Sequence, residues 1–269
     1  MRPRGSLAGR DPTRLIVLGG ILIYGIVVLA GPLLALLTQA ASMPRALLGA
    51  IGAPAALDAL GKTALVTLLV ICVNLPIGIL GGLLLARHRL PARCLVDACV
   101  DLPLAVSPVM IGLGFLLIVG RQGILGPPLA ALGIQIPFAF PGLVIATLFV
   151  TLPFVIREVQ LLVEERGRYE EEAAATLGAS GMQTFFWVTL PSLGPALRGG
   201  ALLTVARSLG EFGAVLVLGG AIEMKTSTAT TFIHLAIEER NLAGAYGVST
   251  LLAALAIAMV GLLSRSEGS

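Results

Sequence analysis

The chain has 269 residues, of which 57% are hydrophobic and 12% are charged, and its mean hydropathy is +0.97. Soluble proteins average roughly 25% charged residues, so this composition excludes a soluble globular protein and indicates an all-α polytopic membrane protein. The formal net charge of +3 reflects how arginine is distributed between the two sides of the membrane, and it predicts no nucleic-acid partner.

Six apolar blocks are long enough to cross a membrane. A spanning helix needs about 20 mostly apolar residues, and the blocks cover residues 15–38, 63–86, 98–119, 139–162, 195–219 and 245–264. We therefore predict six transmembrane helices in one membrane domain, residues 15–265, preceded by a polar tail, residues 1–14. An even number of spans places both termini on the same side.

The distribution of lysine and arginine predicts which side that is. With the N-terminus inside, the loops on the inner side hold most of these residues: Arg2, Arg4, Arg10, Arg14, Arg87, Arg89, Arg93, Arg157, Arg166, Arg168, Arg198 and Arg265. The outer side then holds Arg45, Lys62, Arg121, Lys225 and Arg240. Because positive loops remain in the cytoplasm, we predict that both termini are cytoplasmic.

Glycine and proline residues in the spans predict close packing and bends. Gly78 and Gly82 allow close helix contact in the second block. Pro103 and Pro108 are expected to bend the third block.

The loop between the fourth and fifth blocks, residues 165–191, favours two short helices. Three glutamates, residues 170–172, lie in the opening turn of the first helix, where the helix dipole favours negative charge. Gly178 and Gly181 interrupt the pattern, and Pro191 ends the apolar run that follows. The alanines that follow the glutamates leave a helix face of low relief, so another protein can approach its backbone closely.

Two groups of charged residues lie in or beside the spans. Arg207 and Glu211 are four residues apart, hence on one helical face, near the middle of the fifth block. They are either a structural ion pair or a pair whose arginine lines a transport pathway and attracts an anion. Asp97 and Asp101 are expected to be solvated or paired with Arg93.

The sequence predicts no catalytic residues, no metal site and no cofactor bound by this chain. Gly61, Lys62 and Thr63 match the end of a phosphate-binding loop, but the required earlier glycine is Ala56. No serine, aspartate or zinc constellation of an intramembrane protease is present. We therefore expect a non-enzymatic membrane subunit.

The spacing within residues 165–191 resembles the EAA loop of permease subunits in ATP-binding-cassette (ABC) importers. The matching positions are Glu172, Ala173, Ala174, Gly178, Leu190 and Pro191, and Val188 stands where isoleucine is usual. These six positions are the residues on which the resemblance predicts that an ATPase docks.

The resemblance extends over most of the chain. Residues 101–117 (DLPLAVSPVMIGLGFLL), 140–158 (FPGLVIATLFVTLPFVIRE) and 206–220 (ARSLGEFGAVLVLGG) look like the sulfate/thiosulfate permeases of ABC importers. They are most similar to the second of the two permease subunits of that system. Molybdate and tungstate permeases share much of this pattern.

The resemblance implies a type I importer permease fold in a bacterial-type plasma (inner) membrane. The implied partners are ABC ATPase subunits that bind ATP and magnesium, a second permease subunit and an external substrate-binding protein. A heterodimer of permeases is favoured and a homodimer is the alternative. A molybdate or tungstate permease is the alternative cargo, and a secondary transporter or a non-transporting membrane scaffold is the alternative class.

Overall fold

The computed structural model describes residues 12–88 and 92–267, and every regular element within these ranges is helical. Residues 1–11 of the predicted polar tail, and Arg89, lie outside the described residues. The helices are α1 (Pro12–Gly25), α2 (Gly31–Ser42), α3 (Pro44–Ile51), α4 (Pro54–Arg87), α5 (Arg93–Ala105), α6 (Pro108–Val119), α7 (Gly126–Ala131), α8 (Phe140–Arg166), α9 (Tyr169–Thr176), α10 (Gly181–Thr184), α11 (Leu190–Ser192), α12 (Gly194–Leu209), α13 (Gly213–Gly219), α14 (Ala229–Glu238) and α15 (Leu242–Glu267). A π-helical turn joins α1 to α2 (Ile26–Ala30), and another joins α10 to α11 (Phe185–Thr189).

Three helices in the described ranges are long and apolar enough to cross a membrane as single rods. They are α4, α8 and the Leu242–Met259 part of α15. Three further spans arise if each bent pair of helices is one span: α1 with α2, bent by 41°, α5 with α6, bent by 111°, and α12 with α13, bent by 58°. Three of the six predicted blocks are therefore continuous helices and three are broken. The second block is also longer than predicted, because α4 begins at Pro54 rather than at residue 63.

The break between α5 and α6 follows from Pro108. The residue before a proline is pushed out of the helical region, and Ser107 has φ −59° and ψ 133°. Helix α5 ends at Ala105, and α6 begins at Pro108 in a new direction. Pro103, which we also expected to bend this span, lies inside α5, so the sharp change of direction belongs to Pro108.

The fifth block is broken between Arg207 and Glu211. Helix α12 ends at Leu209, and Gly210 begins a short non-helical link that contains Glu211. This corrects the expectation that the two charged residues share one continuous helical face. Glycine has a low helix propensity because it loses the most backbone freedom, and the break falls at that residue.

Helices α4, α8 and α12 pack against one another within the described bundle. Val155 on α8 is completely buried. A Cβ at Gly78 of α4 would overlap the Val155 side chain, and a Cβ at Gly200 of α12 would lie 3.0 Å from the Val155 Cα. A Cβ at Gly82 would lie 2.7 Å from Cγ1 of Val159. The glycines therefore let three helix backbones approach closely, as we predicted for Gly78 and Gly82.

Candidate functional site: the EAA-like loop and the buried ion pair

The EAA-like loop, residues 165–191, contains the two short helices that its sequence predicts. Helix α9 carries the three glutamates in its first turn, and the chain then turns at Gly178, whose φ is +87°. Residues with a Cβ rarely adopt that φ, whereas glycine does so readily. Ser180 then starts α10 with a capping box, in which its backbone N–H donates to Oε1 of Gln183 at 2.8 Å and its side chain accepts from the Gln183 backbone N–H.

The six residues predicted to dock an ATPase all lie on this loop. Glu172, Ala173, Gly178 and Pro191 are exposed in this chain, and Ala174 and Leu190 are half-buried. The structure thus places them on one accessible element at one end of the bundle. Their docking role stays a prediction.

Glu171, which is not one of the six predicted docking residues, attaches the EAA-like loop to the bundle. Its carboxylate forms an ion pair with Arg87 at the end of α4, and it accepts a hydrogen bond of 2.6 Å from Oγ1 of Thr189. All three side chains are mostly buried. One glutamate of the acidic turn therefore points into the bundle, while its neighbour Glu172 remains exposed. The sequence could not distinguish them, because the rotation of α9 depends on Arg87, which is distant along the chain.

Two large apolar side chains protrude from the same loop. Leu177 is 89% exposed and Trp187 is 83% exposed. Together with Gly178, Ala179, Gln183 and Val188 they line an open groove of 430 Å³. Large apolar surface that is left exposed in this way is typical of a protein interface.

Arg207 and Glu211 lie in direct contact across the break in the fifth block. Nη1 of Arg207 is 2.6 Å from Oε2 of Glu211. The other carboxylate oxygen accepts a 3.0 Å hydrogen bond from the backbone N–H of Ala214, and the backbone carbonyl of Glu211 accepts a 2.6 Å bond from Oγ1 of Thr230. The Glu211 side chain is 1% exposed and that of Arg207 is 31% exposed. The carboxylate is therefore sealed in the interior, while part of the guanidinium group remains accessible.

Asp97 and Asp101 bind a partner that sequence reasoning missed. Arg157 on α8 donates to Asp101 at 2.9 and 2.7 Å and to Oδ1 of Asp97 at 2.8 Å. Arg93, the expected partner, is 3.6 Å from Asp97. Asp97 is therefore within ion-pair distance of Arg93, as expected. Arg157 is the nearer partner of both aspartates. A pairing over more than fifty residues leaves no local pattern that could have revealed it.

Within residues 12–88 and 92–267, no three His, Cys, Asp or Glu side chains are grouped as they would be around a metal ion. Most ion pairs of the described part join an arginine to a carboxylate. Such pairs join helices and can orient anions.

The described fold and the polar loop define a helical membrane protein with an exposed polar loop at one end. Residues 78–266 match the family model for the binding-protein-dependent transport system inner membrane component. The chain belongs to this family.

The relatives in this family include sulfate transport system permeases. The chain is 44% identical to the CysW permease of Synechocystis sp. over 200 residues, which cover 74% of this chain and 72% of that protein. It is 35% identical to the CysT permease of Salmonella typhimurium over 244 residues, which cover 90% of this chain and 88% of that protein. The predicted resemblance to the sulfate permease family is therefore confirmed.

The fold resembles that of a solved ABC transporter. A chain of the bacterial alginate ABC transporter, solved in complex with an alginate pentasaccharide-bound periplasmic protein, superposes with a TM-score of 0.74 at 16% identity. The match covers 96% of this chain and 93% of that chain. At this identity the likeness concerns the fold, and it agrees with the predicted permease fold.

Proposed function

We propose that this chain is a permease subunit of an ATP-driven sulfate importer in the plasma membrane. The observation that carries the proposal is the identity of 35–44% to sulfate transport system permeases of two kinds. The EAA-like loop supports it, because an exposed and partly apolar element at one end of a membrane bundle suits the docking of another protein. Molybdate or tungstate is the alternative cargo, since a tetrahedral oxyanion of similar charge presents similar chemistry.

The ATPase subunits dock on the EAA-like loop in this proposal. Glu172 and the exposed alanine face of α9 form one side of the docking surface. The groove beside Leu177 and Trp187 forms the other side and would accept apolar side chains of the ATPase. This chain binds no nucleotide, and the ATPase subunits supply the ATP and magnesium.

The remaining partners complete the proposed importer. A second, non-identical permease subunit is favoured because both CysW and CysT proteins are among the relatives, and a homodimer is the alternative. An external binding protein delivers the anion, as the periplasmic protein bound to the alginate transporter suggests. The positive-inside rule supports cytoplasmic termini and a cytoplasmic EAA-like loop.

Arg207 is the proposed contact of this chain with the anion. Glu211 holds one side of the guanidinium group, and the accessible part retains N–H donors that can bind an oxyanion. A charged residue inside a membrane span is typically kept for such a role or for a structural ion pair.

The test is sulfate uptake by proteoliposomes that contain this chain with its ATPase, partner permease and binding protein. We expect ATP-dependent sulfate uptake that Glu172→Lys abolishes. Glu170→Lys makes the same charge change in the same turn of α9, outside the six docking positions, and serves as the matched control. Molybdate, tungstate and thiosulfate are added as competitors.

Each outcome has a defined meaning. If only molybdate or tungstate blocks uptake, the chain is still an importer permease, and its cargo is molybdate or tungstate. Uptake independent of ATP would point to a secondary transporter, and the absence of any co-purifying ATPase together with no uptake would favour a membrane scaffold. If Glu170→Lys and Glu172→Lys lose sulfate uptake equally, the specific docking role of Glu172 is contradicted.

A further inference from the structure

A ring of charged and amide side chains joins α5 to α8. Arg157 holds Asp101 through two hydrogen bonds and also donates to Asp97 and to Oε1 of Gln160. A bidentate arginine–carboxylate pair fixes both the distance and the orientation of its two helices.

The ring is closed by residues one turn nearer the EAA-like loop. Nε2 of Gln160 donates to Oε1 of Glu164 at 3.0 Å, and Glu164 pairs with Arg93 at 2.9 Å. Arg93 in turn lies 3.6 Å from Asp97. Every contact in the ring runs between α5 and α8 or within one of these two helices.

The ring matters because α5 has little other attachment. Pro103 is the buried residue of this helix. Its leucines, Leu95, Leu102 and Leu104, are all exposed in this chain, and Val96 and Val100 are only half-buried. Ordinary apolar packing therefore contributes little to the position of α5, and the charged ring holds it on α8.

The ring connects α8, which leads into the EAA-like loop, with α5, which leads through α6 to α13. Helix α8 continues from Arg157 to Arg166 and is followed directly by the first helix of the loop. At its other end α5 turns by 111° into α6. There a Cβ at Gly112 would lie 2.9 Å from the carbonyl oxygen of Ala214, so α6 packs against the backbone of α13. Helix α13 begins just after the buried ion pair of Arg207 and Glu211.

We propose that Arg157 is a positioning residue for transport: it locks α5 to α8, so that movement of the EAA-like loop is carried through α5 and α6 to α13. This inference rests on the proposed function. A charged ring suits the task, because a bidentate pair is either formed or broken, and packed elements with two discrete arrangements transmit small displacements over long distances.

The first experiment separates ATP hydrolysis from transport in the assembled importer. Arg157→Gln should co-purify with the ATPases and hydrolyse ATP within about twofold of the unmodified complex, while sulfate uptake falls at least tenfold. The charge exchange Arg157→Asp with Asp101→Arg should restore a third or more of the uptake. Arg198→Gln removes an exposed arginine near the start of α12 and should leave both activities unchanged.

The second experiment needs neither sulfate nor ATP. Amide hydrogen exchange of the purified complex should be at least tenfold faster across residues 93–105 in Arg157→Gln, while the exchange of α4 stays unchanged. The same exchange should be slow again in the double variant.

Three results would overturn the inference. One is unchanged exchange in α5, because the ring would then not hold that helix. The second is uptake and hydrolysis that are both unaffected in Arg157→Gln, and the third is uptake and hydrolysis that fall together. If the unmodified complex imports no sulfate, the proposed function fails, while the exchange measurement still decides whether the ring locks α5.

Discussion

Asn74 on α4 donates a hydrogen bond of 2.8 Å from Nδ2 to Oγ1 of Thr151 on α8. Both residues are completely buried, and Oδ1 of Asn74 has no hydrogen-bond partner within the described residues. The Thr151 hydroxyl donates onward to the backbone carbonyl of Thr147 at 2.7 Å. A polar link thus joins the two longest described helices.

The protein should lose more stability when only Thr151 of this pair is replaced than when Asn74 and Thr151 are both replaced by apolar residues. Thr151→Val leaves the buried Asn74 amide without an acceptor, which costs about 1–3 kcal/mol, with the lower end expected in a membrane. Asn74→Leu combined with Thr151→Val leaves no unpaired amide and should recover part of that loss. Thermal unfolding in detergent measures both variants. A double variant less stable than Thr151→Val would contradict the argument.

The glycine contact between α4 and α8 predicts a position-specific effect of alanine. Gly78→Ala places a Cβ into the Val155 side chain, and such overpacking costs about 1–3 kcal/mol. Gly61→Ala lies in the same helix with no atom within 4 Å of the new Cβ, so it should be neutral or stabilising by up to about 1 kcal/mol. The unfolding temperatures of the two variants make the comparison. Adding Val155→Ala should partly rescue Gly78→Ala, and equal effects at the two glycines would refute the close contact.

The buried ion pair predicts different outcomes for single and double neutralisation. Arg207→Gln strands the carboxylate of Glu211, and breaking a buried pair costs about 3–5 kcal/mol; the partial exposure of Arg207 favours the lower end. Arg207→Gln with Glu211→Gln removes the stranded charge and should regain most of the stability. Uptake and unfolding are measured in parallel. If Arg207 contacts the anion, uptake stays low in the stable double variant, whereas a purely structural pair would let uptake recover.

The two adjacent glutamates of α9 should behave differently. Glu171→Gln weakens the attachment of the loop to Arg87 and Thr189. The loss of a charged hydrogen-bonded group costs about 1–3 kcal/mol of stability, so hydrogen exchange across residues 169–192 should become faster. Glu172→Gln leaves that attachment intact, so its exchange should match the unmodified protein while ATPase binding weakens. Exchange by mass spectrometry and co-purification of the ATPase report the two effects. A similar exchange pattern in both variants would show that Glu171 does not anchor the loop.

Local patterns were predictable because their causes lie within a few residues. The apolar blocks indicated the membrane class, Gly178 indicated the corner of the loop, and the spacing of Arg207 and Glu211 brought their side chains into reach. The motifs between residues 101 and 220 indicated the sulfate permease family, which the relatives confirm.

The sequence by itself determined the membrane class, the family and the loop, since composition and short-range spacing control these properties. Only the tertiary structure decided that Arg157 holds Asp97 and Asp101, and that Glu171 rather than Glu172 turns toward Arg87. Each of these depends on how one helix is rotated against another, and that rotation is set by packing between residues 56 to 84 positions apart. A helix with apolar residues on all sides carries no pattern that states which face will meet its neighbour.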